Sequence, residues 1–588
     1  MNNPTPFQGK ELSTNSSFPV FNLNWIKLVL KTVITLGIFG FFLVPTLKLV
    51  FLSLTNDSGL TLDHYRLILT EKKTWTTLYN TINLVVGSTL FAIAVGVSLA
   101  FLIAYTDIKY KKIFHLLANL PLIIPSYIFT LAWTQLFSAR GLIATTLALL
   151  PGSVRPFNIY SFTGILLVLG LANYPFVYLL TLAVLRKLPH SLELAAQVSG
   201  ASRLTVFMKI TLPLALSGIG GGGLLAFLAG LDNFGIPAFL GIPARIPVLS
   251  TLIYSEVVGF GPSAFSRAAV LSTLLGVIAL LGSLLLWSFF RKCKTVEVGA
   301  PDLKPRFQLG SWRKPTEIWL WLFFVVTGVV PLIALFLTST VKAYGLDVNV
   351  TNFTLKHYHF VLFESPKTVN ALRNSLILAL IVTAVCLLAG SLLAYFRVRR
   401  SPWLGTLWET VIAIPYSLPG MVFGLAMIFT WMEPVPGWNP GIYGTVKMML
   451  LAYVIRFLIL QIRSSSASLM QIDPALEQAA ECSGAGILVK CRRILIPLIL
   501  PGLLSGAFLV FTHVLTELTV SSLLASSGGE TIGMVIFNFE QAGATVYSTA
   551  FSGIVLIWIA GAGLLFHLTL QFNKRRLTPN VGSNHKRR

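Results

Sequence analysis

Residues 193–201 read Glu193-Leu194-Ala195-Ala196-Gln197-Val198-Ser199-Gly200-Ala201, and residues 477–485 read Glu477-Gln478-Ala479-Ala480-Glu481-Cys482-Ser483-Gly484-Ala485. Both stretches run on to an apolar residue and proline, Leu212-Pro213 and Ile496-Pro497, with 13 residues from Gly to Pro each time. Each lies in a basic loop between apolar runs. A loop repeated this closely between membrane spans implies one kind of partner met twice, and it divides the chain into two related halves.

Composition fixes the class. Of 588 residues 55% are hydrophobic and 11% charged, with mean hydropathy +0.78, more than a soluble domain tolerates. About twelve apolar runs recur, each near the roughly 20 residues a helix needs to cross a bilayer. They fall near 28–53, 78–105, 115–138, 162–185, 214–240, 268–290, 317–340, 374–396, 408–432, 446–465, 498–523 and 549–571. Hydrocarbon leaves backbone polar groups no outside partner, and the runs are too long and unalternating for barrel strands. The expected fold is an all-α polytopic membrane protein.

Charge sets the expected orientation. The net charge of +23 gathers in alternate loops, at Lys109, Lys111 and Lys112; Arg186 and Lys187; Arg291, Lys292 and Lys294; Arg397, Arg399 and Arg400; and Lys574, Arg575 and Arg576. The positive-inside rule makes these loops and both termini cytoplasmic. Charges flanking spans, rather than forming one patch, argue against nucleic-acid binding. The polar start to about Asn24 lacks the layout of a cleaved signal peptide, so the first span is expected to be retained. Cys293, Cys386, Cys482 and Cys491 fall in spans or basic loops, without zinc-ligand spacing, and read as small buried residues rather than disulfide or metal partners.

The repeat extends beyond the loop. Thr61-Leu62-Asp63-His64-Tyr65 returns as Thr354-Leu355-Lys356-His357-Tyr358, Asn80 as Asn374, and Gly96 as Gly390. Pro121 and Pro125 return as Pro415 and Pro419, 294 residues on, while the loop returns after 284. With about six spans in each half, both have the same orientation, a parallel repeat about an axis along the membrane normal. The basic, proline-containing stretch Arg291–Pro315 links them. Within each loop, Ser191 or Asp473-Pro474 is expected to start a short helix, with Glu193 or Glu477 in its favourable first turn. Gly200 or Gly484 ends it in the left-handed conformation. A second short helix follows, and Pro213 or Pro497 is expected to open the next span. The alanine pairs leave a small surface that another backbone can approach.

These loops resemble the EAA motif of type I ABC importer permeases, in which Glu-Ala-Ala is followed by Gly and then by Leu-Pro. Ala195, Ala196, Gly200, Leu212 and Pro213 match in the first copy, and Ala479, Ala480, Gly484 and Pro497 in the second; Ala201 and Ala485, after the glycines, belong to the same candidate coupling loops. Departures are Leu194 and Gln478 at the glutamate position, with Glu193 and Glu477 one residue earlier, and Ser199 and Ser483 where aspartate is usual. The resemblance implies two tandem ABC transmembrane type-1 domains at 78–290 and 370–572. Residues 1–77 would hold the N-terminus, first span and an outer loop; 291–315 the linker; 316–369 the seventh span and an outer loop; and 573–588 a basic tail. It also implies two copies of an ABC ATPase subunit under the loops, an extracytoplasmic substrate-binding protein, and a cell-membrane location. No Gly-x-x-x-x-Gly-Lys-Ser/Thr loop is present, so ATP and Mg would belong to the partners and this chain would hold no cofactor and no metal. The run Gly218–Gly223 lies inside an apolar span, where it reads as close helix packing or a flexible joint.

A single chain with both halves resembles the iron(III) importers, with thiamine and phosphonate importers as close relatives. Leu228-Ala229-Gly230-Leu231-Asp232-Asn233-Phe234-Gly235 resembles the Asp-Phe-Gly segment of that group's fifth span. Pro121, Pro125, Pro415 and Pro419 resemble its third-span Pro-x-x-x-Pro and would shape a gate. Asp232, Asn233 and Glu517, at nearly one depth in the two halves, are candidates to line a path for a cationic cargo. Hydrogen bonding to neighbouring helices is the structural alternative, and His513 stands one turn from Glu517. A secondary transporter also has twelve spans, but it would show a network of intramembrane charges. A membrane enzyme would need a catalytic cluster that this sequence lacks.

Overall fold

The computed structural model describes residues 23–56, 59–138, 143, 157–259, 263–290, 302, 304–433, 441–526 and 528–577. The polar N-terminal stretch, Arg291, Lys292, Cys293 and Lys294, and the tail beyond 577 lie outside the described residues. Among the described residues nine helices are long and apolar enough to cross a membrane. In the first half these are Leu28–Ser53, Lys72–Tyr105, Phe162–Leu185, Arg203–Asp232 and Ala264–Phe290. In the second they are Gly310–Ser339, Pro366–Arg400, Ile487–Leu515 and Thr545–Thr569. Val446–Leu469 is a further 24-residue helix, apolar apart from Lys447, Arg456 and Arg463 and a serine-rich end.

The expected spans 115–138 and 408–432 are not straight. Lys111–Ile123 meets Ser126–Leu136 at 102°, and Pro402–Ser417 meets Gly420–Trp431 at 106°. Pro125 and Pro419 supply no N–H, and each forces the residue before it, Ile124 or Leu418, into extended backbone. Beyond each break the chain is enclosed by protein, with every residue buried from Tyr127 to Leu136 and from Gly420 to Trp431. Broken backbone at membrane depth is tolerated only in such a place. The spans expected at 214–240 and 498–523 likewise stop early, at Asp232 and Leu515. Each is followed by a short helix that the sequence reading did not separate, Leu249–Val258 and Ile532–Gln541.

The sequence repeats mark these same places. Asn80 Nδ2 donates to the Pro247 carbonyl at 3.1 Å, and Asn374 Nδ2 donates to those of Gly528 and Glu530 at 2.9 and 3.2 Å. The next residue in each half caps the short helix. The Leu249 N–H donates to Thr81 Oγ1 at 2.9 Å, and the Ile532 N–H to Ser375 Oγ at 3.0 Å. Tyr65 bonds Ser53 at 2.8 Å and Tyr358 bonds Ser339 at 2.6 Å, tying the outer loop back to the first helix of its half. Gly96 lets Lys72–Tyr105 approach Phe162–Leu185 so closely that a Cβ there would stand 2.8 Å from the Tyr174 carbonyl. Gly218, in the glycine run, packs the same way: its Cβ would sit 2.7 Å from the Leu180 carbonyl. The run is helix packing.

The halves exchange their first helices. Leu28–Ser53 lies along the second half's bent span, where Trp408 Nε1 donates to Thr35 Oγ1 at 3.0 Å, Lys48 pairs with Glu433 at 3.1 Å, and Phe41 stacks on Trp431. Gly310–Ser339 returns the contact through Phe114 against Trp321 and Phe324. The two halves therefore clasp each other.

Removing a buried partner strands the group it served. Thr81→Val should lower unfolding stability by about 1–3 kcal/mol, whereas Thr81→Ser should cost far less. Unfolding in mixed micelles, followed by circular dichroism, reads the difference; equal stability of the valine and serine variants would remove the capping role.

Candidate functional site

The two basic loops fold alike, each as a helix, a glycine exit and a second helix. The first helices are His190–Val198 and Pro474–Cys482. Asp473 caps its helix as expected, accepting from the Ala475 N–H at 2.9 Å. Ser191 does not: its helix begins one residue earlier, at His190, behind Pro189 and without a side-chain cap. Gly200 and Gly484 take the left-handed exit at φ +87° and +76°. Arg203–Val206 and Ile487–Lys490 follow. Pro213 and Pro497 do not start new spans; the chain is helical from Arg203 to Asp232 and from Ile487 to Leu515. A π turn just before Leu212-Pro213 and before Ile496-Pro497 absorbs the hydrogen bond that proline cannot make. Of the alanine pairs, Ala195 and Ala479 are exposed, while Ala196 is half-buried and Ala480 buried. The outward surface is thus narrower than the motif suggests, and it is extended by exposed Val198, Leu204 and Leu488.

Glu193 and Glu477 turn inward. Glu477 Oε1 accepts from Arg399 Nε at 2.6 Å, and Lys490 lies 3.4 Å from its other oxygen. The Arg399 guanidinium also donates to the Leu469 and Ile472 carbonyls, so it pins the loop helix to its own half. Lys490 reaches Glu481 as well, at 2.6 Å, and that contact holds the Glu481 carboxyl below its usual range. Glu193 accepts from Thr211 Oγ1 at 2.7 Å and Tyr105 OH at 3.1 Å, and pairs with Arg306 at 3.0 Å. Both acids therefore hold their loops rather than face outward.

At the far ends of the loop-connected helices stand the acidic residues singled out from sequence. Asp232 pairs with Arg456 of the other half, whose Nη2 lies 2.9 and 3.0 Å from its two oxygens. The break at Pro419 frees the Leu418 carbonyl and the Gly420 N–H. Arg456 Nη1 donates to that carbonyl at 3.3 Å, and the Gly420 N–H donates to Asp232. One ion pair thus completes the hydrogen bonding of a broken helix across the boundary between halves. The Arg456 side chain is 4% exposed and that of Asp232 43%. Arg456, the cation at the middle of an apolar run that also holds Lys447 and Arg463 nearer its ends, is visible in sequence but is passed over when that run is weighed by hydropathy alone.

Asn233 and Glu517 correspond and do one job. Asn233 Oδ1 accepts from the Ile236 N–H at 2.9 Å; Glu517 accepts from Val520 and Ser521 N–H at 2.6 and 2.9 Å. Tyr453 OH adds a bond to Glu517 at 3.3 Å. His513 does not pair with Glu517; its Nδ1 donates to the Leu509 carbonyl at 2.8 Å and its ring lies against Phe457. Pro121 is partly buried and Pro125, Pro415 and Pro419 are buried at the bends. Among the described residues no group of three His, Cys, Asp or Glu side chains forms a candidate metal site.

The family of binding-protein-dependent transport system inner membrane components matches residues 92–292 and 386–578. Among relatives, a probable ABC transporter permease protein y4fN of Sinorhizobium fredii is 26% identical, over 87% of this chain and 90% of its own. A ferric transport system permease protein FbpB of Actinobacillus pleuropneumoniae is 25% identical over 80% of this chain and 67% of its own. An Fe(3+)-transport system permease protein FbpB 2 of Haemophilus influenzae is 27% identical over 81% of this chain and 88% of its own. The chain belongs to this family: it is a multi-pass permease subunit of an ABC importer, not its ATPase.

Asp232→Asn leaves Arg456 buried without its counter-charge. The single change should destabilise by about 2–3 kcal/mol, at the low side for a buried pair because the carboxylate is half-exposed. Asp232→Asn combined with Arg456→Met should recover most of that loss. A double-mutant cycle in mixed micelles that returns no coupling would show the pair to be incidental.

Proposed function

We propose that this permease carries iron(III), delivered by a binding protein on the outer face, with one ATPase subunit docked under each basic loop. The observation that carries the reading is the pair of loop helices, each exposing a small apolar surface and each held by a buried Glu–Arg contact, Glu477 to Arg399 of its own half and Glu193 to Arg306 of the linker. ATP and Mg would be held by the partners, and the loops and both termini would be cytoplasmic, as their basic residues favour. The chain itself would hold no cofactor.

Continuity of the helices supports a direct mechanical route. Arg203–Asp232 is one 30-residue element, so its ends stand about 45 Å apart at 1.5 Å per residue. Tilting the first loop under an ATPase would move Asp232 relative to Arg456 on the opposite half. Loop and gate would then bias the same two arrangements, which an allosteric reading requires. Separation of the pair would leave Asp232 open to the space between halves, an environment that suits a cation.

The ferric relatives and the greater exposure of the acid over the arginine support iron(III). Phosphonate is the second reading, because Arg456, once separated from Asp232, would suit an anion instead; thiamine or another small solute fits the same architecture.

The test is ATP-dependent uptake of radiolabelled ferric ion into vesicles holding the permease, its ATPase and its binding protein. Gly200→Val with Gly484→Val should cut uptake at least about tenfold, since a β-branched side chain does not accept the left-handed exits. Asp232→Asn with Glu517→Gln should also reduce it. Normal ferric uptake by the amide pair would remove these acids from the path. Uptake of 2-aminoethylphosphonate instead of iron would keep the importer and replace the cargo.

A further inference from the structure

Second-half position 399 and first-half position 105 correspond, 294 residues apart, yet they hold Arg399 and Tyr105. Glu193 should therefore lack the guanidinium that Glu477 enjoys. It does not, because the chain brings an arginine from elsewhere. Arg306, in the linker between halves, pairs with Glu193 at 3.0 Å, donates to Tyr105 OH at 2.8 Å, and lies over the Tyr105 ring at 4.6 Å. Its Nη2 donates to the Leu188 carbonyl. Leu188 is the counterpart of Ile472, whose carbonyl takes the corresponding bond from Arg399. The two guanidinium groups thus occupy equivalent positions, reached by unrelated stretches of chain. The Arg306 side chain is only 5% exposed.

The linker is fastened for this purpose. Asp302 N–H donates to the Arg186 carbonyl at 2.7 Å, and the Arg306 and Phe307 N–H groups both donate to the Tyr105 carbonyl, at 2.7 and 2.8 Å. Leu309 N–H donates to Asp107 at 2.9 Å, a bond that holds the Asp107 carboxyl below its usual range. Arg313 lies between Asp107 and Glu317, and Glu317 accepts the Lys109 N–H at 2.7 Å.

We infer that Arg306 is a positioning residue for the first loop helix, and that the linker joining the halves is a working part of that loop rather than a tether. Arg306 and Tyr105 together do in the first half what Arg399 does alone in the second. The link to transport rests on the proposed role of the loops in ATPase coupling; the positioning does not.

Hydrogen–deuterium exchange on the full-length permease, without partners, separates the two. Arg306→Ala should speed exchange of the amides of residues 192–199 by about tenfold or more and leave residues 476–483 unchanged, because loss of one anchor opens only the segment it holds. Arg399→Ala should do the reverse. Tyr105→Arg combined with Arg306→Ala should restore protection of 192–199, since an arginine at 105 starts from the position Arg399 occupies. Unchanged exchange in Arg306→Ala, or no recovery in the double variant, would overturn the inference. Ferric uptake by the assembled importer is then read on the same variants. Uptake lost in Arg306→Ala and recovered with Tyr105→Arg supports the coupling role; exchange that responds as expected while uptake stays normal would overturn the coupling role and leave the positioning standing.

Discussion

A peptide N–H freed at membrane depth has no water to turn to, and this constraint organises the whole molecule. Each half interrupts its helices several times, and polar side chains serve the freed groups. Thr81 and Ser375 serve the short buried helices. Asn233 and Glu517 serve the turns after Asp232 and Leu515. Asp232 and Arg456 between them serve the break at Pro419. An unpaired amide in hydrocarbon costs several kcal/mol, so these polar groups are the condition on which a broken helix can exist.

The halves solve shared problems with different chemistry, and the differences fall where the halves touch or are joined. Opposite Arg456 the first half has Ala172, and opposite Asp232 the second has Thr516, so one charged pair crosses the boundary where strict symmetry would give two or none. Arg399 is matched by an arginine from the linker.

Much of this was legible in the sequence because it depends on residue types with few substitutes. Gly200 and Gly484 marked left-handed exits, Pro125 and Pro419 marked breaks, and Asn80 and Asn374 marked a tether whose purpose only the fold supplies. Lost to sequence was whatever depends on direction. An apolar run that turns through 106° at Leu418-Pro419 has the same hydropathy as one that runs straight. Leu249–Val258 is as apolar as the end of a span, so nothing local separates it. Glu193 reads from sequence only as an acid in the first turn of its loop helix, because Arg306, which claims it, lies more than a hundred residues away in a stretch that reads as a connector.

The Asp232–Arg456 pair also bears on how the protein is made. An arginine near the middle of a helix opposes its own insertion by about 2.5–3.5 kcal/mol. Val446–Leu469 carries that arginine. Its counter-charge, Asp232, leaves the ribosome 224 residues earlier. The acceptor that offsets the cost of the late, charged helix therefore belongs to the half that is made first.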